Sequence, residues 1–555
     1  MFFERHRATL DAACAAIEKR GYWSAYPEAP SGKIYGETAN EDAKRKFEAQ
    51  IGQPFALDQT ATGTVGGERS PYGFDLKIAY PRSDIDVAFA KAAAARTSLR
   101  KAGVEARVGA CLEILARLNK ASFEIAYAVM HTTGQGFVMA FQAGGPHAQD
   151  RGLEAVATAW REMSRVPAHA RWEKPQGKNP PLVLDKDYQI VPKGVALAIG
   201  CATFPTWNTY PALFANLATG NPTLVKPHPN AILPLAMTVR IAREVLKEAG
   251  IDPDAVQLMA DGIYAPIAQT LARRPEIAII DYTGGPDFGD WLSKNAGHAT
   301  IFAEKAGTNA VVVESTGDAK GMFQNLAFSL CLYSGQMCTT PQNIIVPASG
   351  VKTPEGVLSP ADFGAGLATA IDKLLGDPAR AAEVLGAIQS ERTLERLELA
   401  GRGAKIVRPS AKHVHPNFPD ATVRSPLVMA LDASQSAIYG QEMFGPIAYL
   451  VTAANANAAL DAAFGTIAKK GAITAAVYST DDAYLAAAEE RAADVGVALS
   501  VNLTGGVFVN QSAAFSDYHA TGCNPAANAS LTDAGFVAPR FHVAQVRRTA
   551  QAVPA

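Results

Sequence analysis

An α/β protein built on parallel sheets is the fold class this sequence predicts, and three observations predict it. Short apolar runs alternate with helical stretches from Val195 to Ile280, the pattern of strands covered on both faces by crossover helices. The alternation restarts near Thr300 and continues to about Asn502, which makes a second such unit. A chain of 555 residues, 48% hydrophobic and 19% charged, is long enough for two or three domains with large cores.

The elements follow in order. Phe3, Leu10, Cys14 and Ile17 fall on one face of a helix over residues 3–19, which Tyr22-Trp23-Ser24-Ala25-Tyr26-Pro27 ends. A second, charged helix is expected over about 40–50, and the Thr/Gly/Ser-rich stretch 59–75 reads as loop. Residues 1–75 thus form a helical extension, read as an arm packed on the surface of the body. Ser83 or Asp84 caps a long helical region. Its breaks come near Gly134-Gln135-Gly136 and Gly144-Gly145-Pro146, and it ends near residue 164.

Val195–Ile199, Pro222–Val225, Val256–Met259 and Ile277–Ile280 are the strands of the first unit. Helices starting at Pro211, Pro234 and about residue 264 separate them. Ligands of such sheets bind at the carboxyl ends of the strands. Lys226 lies there, as do Thr283, Gly284 and Gly285. In the second unit, Val311–Val313, Asn343–Val346, residues 447–452, Ala475–Tyr478 and Leu499–Asn502 read as strands, and 361–400 as mostly helix. The tail from 510 is irregular and ends in strand-like Phe541–Val546.

A net charge of −2 provides no basic field for nucleic acid. No run reaches the ~18 apolar residues of a membrane span. The start, Met1-Phe2-Phe3-Glu4, lacks the apolar core of a secretory signal. Six cysteines without a CxxC pair suit reduced thiols in a cytoplasm. His413 and His415 read as a solvated loop, and no metal site is expected.

One cysteine has different surroundings. Tyr333-Ser334-Gly335-Gln336-Met337-Cys338-Thr339-Thr340-Pro341 places a thiol in a turn-rich loop, where it can project into a cleft as a nucleophile. Alone, this would equally suit a small buried residue. Three other stretches accompany it. They are Phe204-Pro205-Thr206-Trp207-Asn208 with Gly220-Asn221 and Lys226-Pro227, then Ala303-Glu304-Lys305-Ala306-Gly307, then Glu442-Met443-Phe444-Gly445-Pro446. In this order they resemble the aldehyde dehydrogenase superfamily over about residues 75–515.

The resemblance implies an aldehyde dehydrogenase-like fold. A Rossmann-like NAD(P)-binding domain would span 76–300, with a bridging segment at about 168–192. A catalytic domain would span 301–509, and 510–555 would complete a small bridging or oligomerisation sheet. It implies a homodimer or homotetramer acting on a small-molecule aldehyde. Cys338 would add to the carbonyl carbon, since a carbonyl must become tetrahedral before it can release hydride. The Asn208 amide and the Cys338 backbone N–H would hold the alkoxide. Glu304 would activate the water that hydrolyses the thioester. Glu442 would hold the nicotinamide ribose, and Phe444 would back the ring. Without the resemblance, Asn208 could cap a helix near Tyr210, and Glu304 and Glu442 could be surface carboxylates.

Departures from the family's pattern also carry information. Lys226-Pro227-His228-Pro229 lacks the carboxylate that usually binds the adenosine ribose, which leaves Lys226 and His228 facing a 2′-phosphate and favours NADP over NAD. Thr283, Gly284 and Gly285 would receive the pyrophosphate at a helix N-terminus. Tyr22–Glu28, Lys33–Gly36 and Pro146-His147-Ala148-Gln149-Asp150-Arg151-Gly152 resemble the phenylacetate-degradation branch, the PaaN type. That implies a CoA-linked, ring-opened semialdehyde as substrate. Two rivals stand beside this expectation: an acylating enzyme in which CoA replaces water, and a non-catalytic protein on the same fold.

Overall fold

Two parallel sheets and one antiparallel sheet organise the chain. The computed structural model describes residues 2–305, 307–401 and 405–550. The first sheet has five parallel strands in the spatial order Thr300–Lys305, Ile277–Gly284, Val195–Ile199, Thr223–Lys226, Val256–Leu258. Val195–Ile199 and Thr223–Lys226 are buried at every position, as strands covered on both faces must be. The boundary expected after residue 300 falls at the start of a strand, and that strand pairs with the first sheet.

The second sheet runs Lys405–Arg408, Leu427–Asp432, Ile447–Ala453, Asn343–Pro347, Ala310–Val313, Thr474–Tyr478, Ala498–Val501. Only its first pair is antiparallel. The third sheet is antiparallel, with Asn179–Pro192 between His169–Gln176 and Phe541–Thr549. The bridging segment expected at about 168–192 and the strand-like 541–546 both lie in it.

The long helical region starts at Ile85, where the Asp84 carboxylate accepts from the Val87 N–H, and runs to Lys120 with a break at Gly103 (φ 83°). Helices Ser122–Thr133, Phe137–Gly144 and Pro146–Ser164 follow. The helix expected from Pro211 begins at Pro205 instead and carries Pro211 inside it. Asn208 therefore lies in the helix's first turn and is not its cap.

The N-terminal extension differs from expectation. It is not a surface arm. Phe3, Leu10, Ala13 and Ala16 of the helix Phe2–Lys19 are buried in the largest apolar cluster, together with residues of the first unit. A Cβ at Gly109 would stand 2.4 Å from the Phe3 nitrogen, so this helix and the long one meet backbone to backbone. His415 departs as well. It is 9% exposed and packs on Tyr72 and Phe418, while Val414 beside it is exposed, so His415 itself is not a solvated loop residue.

Candidate active site

Cys338 follows a helix, Ala319–Cys331, that ends in an abrupt reversal. Tyr333, Ser334 and Gly335 all have positive φ (53°, 50° and 66°). Non-glycine residues occupy this region at some cost, and only well-anchored loops keep them there. The anchors are present. The Ser334 hydroxyl oxygen lies 2.9 Å from both the Leu385 and the Arg424 carbonyl oxygens and donates its one proton to one of them. Gln336 donates to the Ala387 carbonyl at 3.0 Å and accepts from the Gln389 N–H at 2.9 Å. Asn309 donates to the carbonyls of Cys338 at 2.8 Å and Thr340 at 3.0 Å. A side chain at Gly335 would come within 2.4 Å of the Gly445 oxygen, so the Cys338 loop and the Phe444–Gly445 turn lie back to back.

Glu304 reaches the same place from the first sheet. Its strand pairs in register with Ile277–Gly284, which sets Glu304 opposite Thr283 and Lys305 opposite Gly284. Ala306, in the same motif, lies outside the described residues. The Glu304 carboxylate is buried (7% exposed) and lies within 4.8 Å of the Cys338 sulfur. Burial alone would raise its pKa, but the His519 imidazole at 3.1 Å outweighs that and holds it below the ordinary carboxylate value. Burial and the Glu304 charge push the Cys338 thiol well above its ordinary value. Cys331, by contrast, is fully buried in core.

Asn208 lines a cleft with Glu304, Thr283 and Ile199 at the carboxyl ends of the first sheet's strands. Its Oδ1 accepts from the Cys201 thiol at 3.5 Å. Its Nδ2 is buried and has no hydrogen-bond partner among the described residues. An unsatisfied buried amide costs roughly 1–3 kcal/mol, and such a donor is what a developing oxyanion requires.

The expected dinucleotide residues fall into three groups. Thr283 and Gly284 end their strand, and Gly285 caps the helix Pro286–Asn295. Glu442 and Phe444 line a second cleft with Gly307, Met337 and Thr340. Burial pushes the Glu442 carboxyl up to about 7, with Arg396 pulling the other way. No hydrogen bond from a described residue reaches this carboxyl group, which faces the cleft. Lys226 and His228 are not the free-standing charges that the expectation of an NADP preference supposed. The Lys226 ammonium is 3% exposed, donates to the Pro227 carbonyl at 2.7 Å, and pairs with Asp261 at 2.7 Å. Burial, with the Lys226 charge beside it, pushes the His228 imidazole down to about 4, which leaves it neutral near pH 7. A carboxylate thus does stand beside Lys226, supplied by the next strand's end and not by the motif itself. These residues fit a nicotinamide dinucleotide: the carboxyl-end cleft, an unengaged Glu442 and a Lys–Asp pair.

Sequence reasoning missed His519. It lies in the irregular C-terminal stretch, where no period or motif marks it. Its Nε2 is 3.8 Å from the Cys338 sulfur and 3.1 Å from a Glu304 oxygen. Its ring stands edge-on to Trp207 at 4.7 Å.

A parallel sheet with a cleft at its carboxyl ends, a second and mostly parallel sheet, and a cysteine on a strained loop with a glutamate within 4.8 Å of its sulfur are the arrangement of a thiol enzyme of the α/β class. The aldehyde dehydrogenase family matches residues 78–525, and the chain belongs to that family. A solved NAD-dependent aldehyde dehydrogenase from Burkholderia multivorans is 55% identical over the full length of both chains, with a TM-score of 0.98. The 1-pyrroline-5-carboxylate dehydrogenase of Geobacillus thermodenitrificans is 26% identical over 53% of this chain and 56% of its own. The vanillin dehydrogenase of Pseudomonas fluorescens is 25% identical over 52% of this chain and 58% of its own. The chain therefore spans about half the length of the curated relatives it matches. A Thermus 1-pyrroline-5-carboxylate dehydrogenase with bound NAD shares the fold at 17% identity over 95% of this chain and 99% of its own, with a TM-score of 0.73.

Proposed function

We propose that the protein oxidises an aldehyde to a carboxylic acid with NAD(P), through a thiohemiacetal and then a thioester on Cys338. The observation that carries this is the convergence of the Cys338 sulfur and the Glu304 carboxylate within 4.8 Å, with the unpaired Asn208 amide in the cleft that Glu304 lines. The thiolate adds to the carbonyl carbon, a C–S bond forms, and the carbonyl electrons move to oxygen. Asn208 Nδ2 holds that oxygen. When bound, NAD(P) accepts the hydride released as the carbonyl reforms. Glu304 takes a proton from water as it attacks the thioester and the C–S bond breaks. Thr283, Gly284 and Gly285 would bound the pyrophosphate, Glu442 and Phe444 would hold the nicotinamide end, and Lys226 with Asp261 would meet the adenosine ribose.

NAD is the preferred dinucleotide on this reading, because the Asp261 carboxylate accepts from ribose hydroxyls and repels a 2′-phosphate. The substrate is a CoA-linked semialdehyde from aromatic ring opening. The support is the resemblance of Tyr22–Glu28 and Pro146–Gly152 to the phenylacetate branch. Six free cysteines suit a reducing compartment such as the cytoplasm. Acyl transfer to CoA in place of hydrolysis is disfavoured by Glu304, a base aimed at the thioester carbon's neighbourhood.

Reduced-dinucleotide formation over a panel of free and CoA-linked aldehydes tests the reading. Cys338→Ala should abolish it, and turnover in that variant would end the covalent mechanism. Equal kcat/KM for short free aldehydes and the CoA-linked one would remove the substrate assignment and leave the dehydrogenase. Glu304→Gln should give a rapid burst followed by a slow steady state. Equal loss of both phases would remove Glu304 as the base that activates water.

A further inference from the structure

The thiol presents a problem that the motif residues do not solve. It is pushed well above its ordinary pKa, and the neighbouring Glu304 charge adds to the effect of burial. A nucleophile in that state needs a base at hand. We propose that His519 is that base: its Nε2, 3.8 Å from the Cys338 sulfur and 3.1 Å from Glu304, takes the thiol proton and holds the thiolate as an ion pair. The inference rests on the dehydrogenase reading above, and it adds a catalytic residue that none of the matched motifs contains.

The proton balance follows from the geometry. The S–H bond breaks and an Nε2–H bond forms; the proposal requires the accepting ring to start neutral with its single proton on Nδ1. The resulting imidazolium stands between two anions, the thiolate and the Glu304 carboxylate, and both stabilise it. When the thioester is hydrolysed and the C–S bond breaks, the same proton returns to sulfur. The charged and titratable groups around the ring are Glu304 and Cys338 in contact with it, with Cys201, Glu442 and Arg151 acting on that pair.

The N-terminal segment and the Pro146–Gly152 stretch pack on the loop that carries His519. Arg151 is fully buried and donates to the Asp517 carbonyl at 2.9 Å and to the Ser512 hydroxyl at 3.1 Å. Its guanidinium also lies 5.6 Å from the centre of the Trp207 ring, on which His519 packs. Asp150 accepts from the Ser24 hydroxyl at 2.5 Å and the Ala25 N–H at 3.1 Å. Trp23 stands edge-on to Phe515 at 4.7 Å, and Arg20 covers the Tyr518 ring at 4.0 Å. The N-terminal segment and the Pro146–Gly152 stretch therefore clamp one loop, residues 512–519, from two sides. They are the positioning layer of the base.

The test is the rate of Cys338 alkylation by iodoacetamide against pH on the full-length protein, resolved by peptide mass spectrometry because five other cysteines are present. The wild-type thiol should react through neutral pH. In His519→Gln the rate at about pH 7 should fall by roughly 10²-fold, within the usual range for a general base, and recover only in alkali. An unchanged pH profile in that variant overturns the proposal. Should His519→Gln fail to fold, as judged by its melting temperature and NAD binding, the wild type still decides. Its ultraviolet thiolate absorbance, taken as the difference from Cys338→Ala, should already be present at neutral pH. Appearance only in alkali overturns the proposal. Trp23→Ala should move the alkylation profile in the same direction by a smaller factor. Neither readout needs aldehyde oxidation, so its failure is distinct from a failure of the dehydrogenase reading.

Discussion

At the scale of single residues, the site is assembled from groups left deliberately unsatisfied or mismatched. Asn208 Nδ2 has no partner, and Glu442 keeps an unengaged carboxylate whose pKa burial has raised. Asn208→Ala should lower kcat by about 10²–10³-fold, or ~3–4 kcal/mol of transition-state stabilisation, with little change in NAD affinity. Stopped-flow measurement of the burst phase checks this, and an unchanged burst rate would place the oxyanion elsewhere. Asp261 carries the second prediction at this scale. Titration calorimetry should show NAD binding more tightly than NADP, and Asp261→Asn should narrow that gap by removing the charge that repels the 2′-phosphate. Equal affinities in the wild type would show that the Lys226–Asp261 pair lies away from the ribose.

At the scale of elements, the helix Leu233–Glu248, which follows the Lys226–Pro227 turn, begins on a buried carboxyl. Glu68 accepts from the backbone N–H groups of Ile232 at 2.5 Å and Leu233 at 3.1 Å, and from the Tyr80 hydroxyl. Burial nevertheless pushes its pKa up to about 7 from an ordinary 4.5. The folded state thus holds the proton more tightly than the unfolded chain does. The associated stability is complete below about pH 4.5 and is lost as pH rises through about 7. A full shift of that size is worth roughly 3 kcal/mol. Glu68→Gln should flatten this part of the stability profile. Melting temperatures of the two proteins across the window should converge as pH falls if the carboxyl is neutral there, and parallel curves would remove Glu68 as the source.

At the scale of the whole molecule, the three-stranded sheet ends in an exposed strand. Phe541–Thr549 is exposed at all but its first position, with Val543 and Val546 facing out, 42% and 38% exposed. Among the described residues its free side is an unpaired edge, of the kind that recruits a second chain. We expect this edge to join subunits into a dimer or tetramer. Replacing both valines with aspartate should reduce the mass measured by light scattering without lowering the helix content seen by circular dichroism. An unchanged mass would show that assembly uses another surface.

The sequence by itself determined the parallel α/β class, four of the five strands of the first sheet, five of the seven of the second, and the loop that bears Cys338. Apolar runs buried on both faces, and glycine-bearing turns, are local patterns that survive without knowledge of partners. It also supplied Asn208, Glu304 and Glu442, through ordered motifs. It could not supply Asp261 or His519. Lys226 and Asp261 meet because parallel pairing sets Thr223–Lys226 beside Val256–Leu258, so that their carboxyl ends adjoin. His519 lies 181 residues from Cys338 and 215 from Glu304. Only the packing of the tail between Arg151, Trp23 and Trp207 brings it to the sulfur. An isolated histidine in an irregular segment carries no periodic signal, and its proton chemistry comes from neighbours that the chain's order does not reveal.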